Sequence, residues 1–363
     1  MARHHKYRQN QGDALRLSAI DHPTIALSRP MPGVQLSEPQ YSVSVFAPAR
    51  LHMGFIDLGG SLGRKFGSIG VGINEIATRL SITAADELQA EGPCHERAAK
   101  AARKFAGIHG RDCRVAIRVH QAIPEHVGLG SGTQLELAVG MGLARFYGLE
   151  LGVRDIAQAI ERGARSGIGI AVFEQGGLVV DGGRGPDTVT PPLIARMEIP
   201  EAWRFILVFD RRGQGLHGPQ EVEAFSALQP FPVAETARLC HKLLMQALPA
   251  LAEGDIQGFG AVITELQNSV GDHFAPAQGG RFTSPEVAQA MAWLESQGAV
   301  GIGQTSWGPT GFCLLDTPQR AAELAALASR RFDGLDILVA TARNQGAEIL
   351  PRNAEPTADV LRA

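Results

Sequence analysis

The 363-residue chain has little cysteine, no excess of either charge and no long uninterrupted apolar run. Its four cysteines, Cys94, Cys113, Cys240 and Cys313, stand far apart with no C-x-x-C pair. That spacing argues against a zinc knuckle or a disulfide scaffold and fits a reducing, cytoplasmic setting. Lys and Arg total 34 against 37 Asp and Glu, so there is no basic footprint for nucleic acid or an anionic membrane, and a small molecule is the expected partner. No stretch reaches membrane-spanning length free of charges, and the basic start MARHHKYRQN lacks the apolar segment of a signal peptide. Internal repeats and low-complexity tracts are missing too.

What is present is 44% hydrophobic content, enough for a substantial core and for two domains of ordinary size. Residues 1–40, polar and containing Pro23, Pro30 and Pro32, are expected to form a flexible N-terminal extension. A first domain is expected over 41–185, a linker over 186–200, a second domain over 201–350 and a tail over 351–363. Tyr41, Val43, Val45 and Ala47 alternate with Ser42, Ser44 and Phe46 in strand period, as do ATRLSIT and RVAIRVH. Leu135, Val139, Leu143 and Phe146 share a helical stripe whose other faces are also apolar, which predicts a buried helix from Thr133 to Tyr147. VRDIAQAIERG reads as a helix and SGIGIAVFEQGGLVVDGGRG as a strand pair with tight turns. Strands at FILVFD, GFCLL and LDILVATA and helices near 233–251 and 257–270 follow. Strands and helices mixed in both halves imply an α+β or mixed α/β chain.

The segment GLGSGT, Gly128 to Thr133, precedes the buried helix. Glycines there let the backbone approach a ligand closely, and helix-start amides with the positive dipole end suit a phosphate, with Ser131 or Thr133 as cap. The same glycines would serve a turn that only packs tightly. The lysine of a G-x-x-x-x-G-K-[ST] loop is missing, and so is a strand–GxGxxG–helix unit. PARLHMGFIDLGGSLGRKFG gathers Arg50, His52, Asp57, Arg64 and Lys65 among glycines, a mixture costly to bury without partners or a ligand. Arg50 can fork onto a carboxylate or phosphate, although for one isolated arginine a surface ion pair is the commoner explanation. His52 and His126 could each be structural, and Asp57 could form a turn. GIGQTSWGPTGF offers Gln304, Thr305 and Ser306 as hydrogen-bonding groups and Trp307 as an apolar wall or as core filling. GDHFAPAQGGRF reads as a loop carrying Asp272, His273, Gln278 and Arg281.

PARLHMGFIDLGG, PEHVGLGSGTQLELA and GIGQTSWGPTGF together resemble the three motifs of the GHMP kinase superfamily. GLGSGTQLELA, RSGIGIAVFEQGGLVVDGG, GLHGPQEVEAF, DHFAPAQGGRF and GQTSWGPTGF are similar, more narrowly, to its non-kinase β-ribofuranosylaminobenzene 5′-phosphate synthase family. The resemblance spans roughly 41–350. It implies a two-domain α+β GHMP-kinase-like fold, with a left-handed βαβ crossover in the N-terminal domain and a ferredoxin-like C-terminal domain. It implies condensation of phosphoribosyl diphosphate with 4-aminobenzoate or 4-hydroxybenzoate, releasing CO2 and diphosphate, in tetrahydromethanopterin biosynthesis, with Mg2+ and as a homodimer. On that basis His126, Gly128, Gly130, Ser131, Gly132 and Thr133 would bind phosphate. Gln304, Ser306 and Trp307 would hold the aromatic acid, and Arg50, His52, Asp57 and Arg64 would take catalytic roles. The third motif departs from the kinase pattern by carrying Gln304, Trp307 and Pro309 where small residues are usual, and the paired carboxylates of ordinary phosphoribosyltransferases are lacking. An ATP-dependent kinase of the superfamily and a non-catalytic nucleotide-binding module are the alternatives.

Overall fold

Val43, Val45 and Ala47 are buried while Ser42, Ser44 and Phe46 are half-exposed, the alternation that makes β1 (Ser42–Asp57) a strand with one face on a core. The computed structural model describes residues 42–163, 165–212, 228–306 and 308–352. The expected N-terminal extension, the GLHGPQEVEAF motif and the expected tail beyond residue 352 lie outside the described residues. β1 pairs antiparallel along its length with β2 (Gly67–Ala84), so the glycine-rich stretch around 54–72 is mostly a long hairpin. β3 (Gln89–Glu91) and β4 (Val115–Gln121) are parallel neighbours joined by α1 (His95–His109), a βαβ unit. α2 (Ser131–Phe146), α3 (Val153–Ala159) and α4 (Ile168–Gln175) follow, then β5 (Leu178–Asp181) and β6 (Leu193–Met197).

The second half begins with β7 (Arg204–Asp210). α5 (Val233–Lys242) runs through a π turn at Leu243–Ala247 into α6 (Leu248–Glu253), and α7 (Ile256–Gln278) comes next. Asp255 caps α7 by accepting from Gly258 N at 3.0 Å, and Gly279 ends it at φ 84°. α8 (Pro285–Ser296) and α9 (Pro318–Arg331) each start with proline behind a capping hydroxyl, from Ser284 and Thr317. Between them lie β8 (Val300–Gln304) and β9 (Gly311–Leu315), and after them β10 (Leu335–Ala340) and β11 (Glu348–Arg352). β10-β7-β9-β8 is the spatial order of an antiparallel sheet. With helices between β7 and β8 and between β9 and β10, this is the expected ferredoxin-like arrangement.

Apolar clusters hold these layers together. α1 and α2 cover one face of the first sheet, burying Phe105, Leu137 and Leu143 against Leu80, Ile82 and Ile117. α8 and α9 cover the second sheet through Met291 and Leu324 against Ile206 and Cys313. The largest cluster joins the two halves: Leu51, Met53 and Val71 meet Phe205, Phe259, Leu266 and Phe312. Each such side chain contributes about 1.5–3 kcal/mol on burial, so α7 is bound to both sheets at once.

Several expectations are corrected. The segment 168–175 is helical, because Ile168, Ile170, Ala171, Val172 and Phe173 are buried on all sides and strand alternation is then indistinguishable from a fully buried helix. The segment expected to be a linker contains β6, which pairs with β5 in the first sheet. α7 continues through Gly271 and Pro276, placing Asp272, His273 and Gln278 on a helix, where they were expected on a loop. β11 returns to pair with β1 in the first sheet, away from the second-half elements that precede it.

Candidate functional site

The turn 127–130 has its carbonyls pinned from behind. Thr310 Oγ1 donates to Val127 O at 2.8 Å, Thr305 Oγ1 to Gly128 O at 2.9 Å, and the Arg50 amide to Leu129 O at 3.1 Å. The Arg50 guanidinium also donates to Gly128 O. His52 N in turn donates to Thr305 Oγ1 at 2.9 Å, so β1, the glycine turn and the β8–β9 turn form one bonded assembly. With carbonyls held on one side, the loop presents its amide edge to the other. The first-turn amides of α2, from Ser131, Gly132 and Thr133, have no carbonyl one turn back to bond.

The N-cap of α2 is Gly130 with φ 81° and no side-chain cap, which corrects the expectation that Ser131 or Thr133 caps the helix. No acidic residue lies in its first turn, so no carboxylate there offsets the positive dipole end, which suits an anion. Close approach explains the glycines. A Cβ on Gly128, itself at φ 81°, would lie 2.4 Å from Thr305 O, and one on Gly130 would lie 2.8 Å from Arg50 Cγ.

A second cation stands beside the loop. A Cβ on Gly132 would lie 2.1 Å from Arg97 Nη2, so the Arg97 guanidinium occupies the space that glycine leaves. Glu125 and Glu136 hold it at 3.1 and 3.2 Å, and Arg162 Nε donates to Glu136 at 2.9 Å. Burial pushes the Glu136 carboxyl up, but hydrogen bonds and charge from Arg162 and Arg97 outweigh it and hold the group below its usual range.

On the other side of β1, Gln267 of α7 donates to Met53 O at 2.6 Å and accepts from Gln304 N at 2.9 Å. His52, Phe55, Val270, Phe274, Gln304 and Ser306 border a narrow slot beside this link, with room for about one water molecule. His52 is 2% exposed. Burial first, then the Arg50 charge, pull its imidazole down to about 3, against a hydrogen bond to its own backbone. It is therefore neutral, and its Nε2 has no hydrogen-bond partner among the described residues.

The structure thus brings together Arg50, His52, Gly128, Gly130, Ser131, Gly132, Thr133, Gln304 and Ser306. His126 lies exposed in the same turn with φ 62°, and Trp307 lies outside the described residues. Asp57 and Arg64 sit near the tip of the β1–β2 hairpin. At ~3.3 Å per residue, Asp57 is roughly 23 Å along the strand from Arg50. Asp57 Oδ1 accepts from Gly60 N at 2.8 Å, and Arg64 donates to Gly182 O and Gly183 O at 2.9 Å each. Sequence reasoning missed Arg97, Glu136, Arg162 and Gln267. Arg97 lies on a separate helix, and only the packing of α1 on α2 reveals it.

The family models for the GHMP kinases N terminal domain and the GHMP kinases C terminal match residues 94–177 and 247–334. Solved structures share the fold. A Lactococcus lactis galactokinase complexed with galactose superposes at TM-score 0.62 with 14% identity, covering 86% of this chain and 96% of that one. A homoserine kinase from Cytophaga hutchinsonii gives 0.59 with 15% identity, covering 88% and 100%. Much nearer in sequence are two proteins named beta-ribofuranosylphenol 5'-phosphate synthase. The one from Methanothermobacter thermautotrophicus is 33% identical over 322 residues, 83% of this chain and 96% of its own. The one from Archaeoglobus fulgidus is 35% identical over 321 residues, 83% and 97%. With the GHMP fold, the three joined motifs and this identity along nearly the whole of both relatives, the chain belongs to the β-ribofuranosylphenol 5′-phosphate synthase family.

Proposed function

We propose that the enzyme joins phosphoribosyl diphosphate to a 4-substituted benzoic acid, 4-hydroxybenzoate or 4-aminobenzoate, forming an aryl C-riboside 5′-phosphate with loss of diphosphate and CO2. The observation that carries this reading is the glycine turn, its carbonyls pinned from behind and its amides open at an acid-free helix start, with Arg50 and Arg97 flanking it. Such a cradle suits phosphate groups. It holds charge in place while the C1′–oxygen bond to diphosphate breaks. Phe55, Val270 and Phe274 at the neighbouring slot offer an apolar surface against which an aromatic ring can lie at its mouth.

Positioning is the main contribution asked of the protein, because the ring carbon itself is the nucleophile and CO2 is the group it loses. Among the described residues no cluster of three His, Cys, Asp or Glu side chains could hold a metal ion. Magnesium, which this reaction class calls for, would neutralise the departing diphosphate. Among the described residues, no helix is long and apolar enough to cross a membrane.

The deciding experiment supplies phosphoribosyl diphosphate, magnesium and carboxyl-labelled 4-hydroxybenzoate or 4-aminobenzoate, and follows labelled CO2 and diphosphate together. Release of both in equal amounts is expected, the faster acid being the substrate. No release from either acid, with ATP consumed in the presence of a small acceptor, would replace this reading with a kinase.

A further inference from the structure

The continuous helix formed by α5, the π turn and α6 shows water an uncharged face. Its exposed positions from Val233 to Ala252 include Val233, Ala237, His241, Leu244, Met245 and Pro249, and no Asp, Glu, Lys or Arg is among them. The charged residues of this stretch lie half-buried on its flank. Arg238 donates to Glu235 at 2.8 Å, and Arg238 and Lys242 both reach Glu265 of α7. Other helices are built differently: α1 turns Glu96, Lys100, Arg103 and Lys104 outward, and α9 turns Arg320, Glu323, Arg330 and Arg331 outward. The π turn sharpens the contrast. Leu248 N donates back to Leu243 O, and the widened turn sets two adjacent bulky side chains, Leu244 and Met245, at 63% and 64% exposure in the middle of the face. Each such side chain left in water forgoes about 1.5–3 kcal/mol of burial.

We propose that this face is where two copies of the chain pair, helix against helix, around a two-fold axis that passes beside Leu244 and Met245. Shape and charge select that occupant. A helix is a convex ridge, so it encloses no small molecule and fits a second ridge at about 8–10 Å between axes. A membrane would call for free basic residues along the helix, and here Arg238 and Lys242 are already tied to carboxylates. An uncharged face meets its own copy without like-charge repulsion. The antiparallel arrangement places Leu244 on Met245 of the second copy and Ala237 on Ala252 of the second copy. Glu253, exposed and without an ion pair among the described residues, then comes within about one turn of Arg238 of the second copy, and the two-fold repeats this contact at the other end. Area is consistent with pairing. The ridge is about 30 Å long and about 10 Å wide, so it supplies the apolar centre, and its flanks the polar rim, of the roughly 800 Å2 per partner that a stable dimer needs.

Sedimentation velocity on wild type, the double variant Leu244→Glu/Met245→Glu and Leu327→Glu tests the pairing. Wild type is expected to sediment as a dimer. The double variant would bury unpaired charges at the centre, so its dissociation constant rises at least about a hundredfold while its circular dichroism matches wild type. Leu327, 46% exposed on α9, controls for charge placed on an exposed leucine elsewhere, and L327E stays dimeric. In a Cys240→Ser background, which removes the thiol already on the face, Met245→Cys is expected to cross-link to its copy under mild oxidation, because the axis brings the two positions close. Cross-linking decides the matter alone if the charged variant does not fold. A wild type that stays monomeric at every concentration, a double variant that dimerises as tightly as wild type, or a dimeric Met245→Cys that does not cross-link would each overturn the inference. A monomer whose Met245→Cys thiol resists labelling overturns it as well, in favour of a cover from elsewhere in the same chain.

Discussion

Replacing Gly128 by alanine should damage stability and substrate binding together, and the size of the effect follows from two features of its position. At φ 81° an L-residue costs about 1–2 kcal/mol. The added Cβ would also lie 2.4 Å from Thr305 O, 3.1 Å from Gly308 Cα and 3.2 Å from Gly308 N. These are backbone atoms and cannot rotate aside, so the turn and the β8–β9 connection must separate. Separation weakens the bonds from Thr305 to Gly128 O and from Thr310 to Val127 O, each about 0.5–1.5 kcal/mol. The total is about 2–5 kcal/mol, to be read as a lowered urea midpoint at unchanged slope. Calorimetry with phosphoribosyl diphosphate should show affinity falling at least about tenfold, because the amide edge moves with the turn. A variant within 0.5 kcal/mol of wild type, by the roughly neutral range for ordinary surface changes, and with unaltered affinity would refute the claim that these two loops are locked together.

Gly132→Ala is the contrasting case: its Cβ meets only the flexible end of Arg97, and alanine favours the helix by about 1 kcal/mol. Stability should hold while affinity for phosphoribosyl diphosphate falls about tenfold or more as Arg97 is displaced, a split that denaturation and calorimetry read separately. For His52, the folded-state value of about 3 lies below the ordinary 6.5 of a histidine, so between them the unfolded chain binds more protons and stability rises with pH. That contribution is complete above pH ~6.5 and lost as pH falls toward ~3, and urea midpoints at pH 7 and 5 should show wild type losing about 2 kcal/mol more than His52→Phe. Asp181 is buried, which pushes its carboxyl up against hydrogen bonds from Ser68, Gly183, Gly167 and Ser166. Asp181→Asn turns one acceptor toward donors, which should cost about 1–3 kcal/mol in a melting experiment and speed amide exchange at Gly167.

The parts of this site written in contiguous residues were legible beforehand. GLGSGT announces a close backbone approach, and the structure supplies the specific contacts, Thr305 O and Arg50, that forbid a side chain there. Partnerships set by packing were not legible: nothing around Arg97 in HERAAKAARKF distinguishes it from any helix-surface arginine until α1 lies against α2. Segments with apolar residues on every face also resist reading, as 168–175 shows, because period carries information only where one side meets water. The order of motifs along the chain anticipated the GHMP fold found here, and β11 was missed because a short strand at a sheet edge needs its distant partner to exist.

That last strand has a consequence for biosynthesis. β1 is among the first described residues to leave the ribosome, yet its outer edge is paired by Glu348–Arg352, almost the last. Until then, a nascent chain with its other elements assembled still carries an open strand edge, of the kind that recruits foreign strands. Chains cut off before β11 should therefore expose the long β1 edge where longer chains expose only the five-residue β11, and stalling translation before β11 should increase their capture by chaperones.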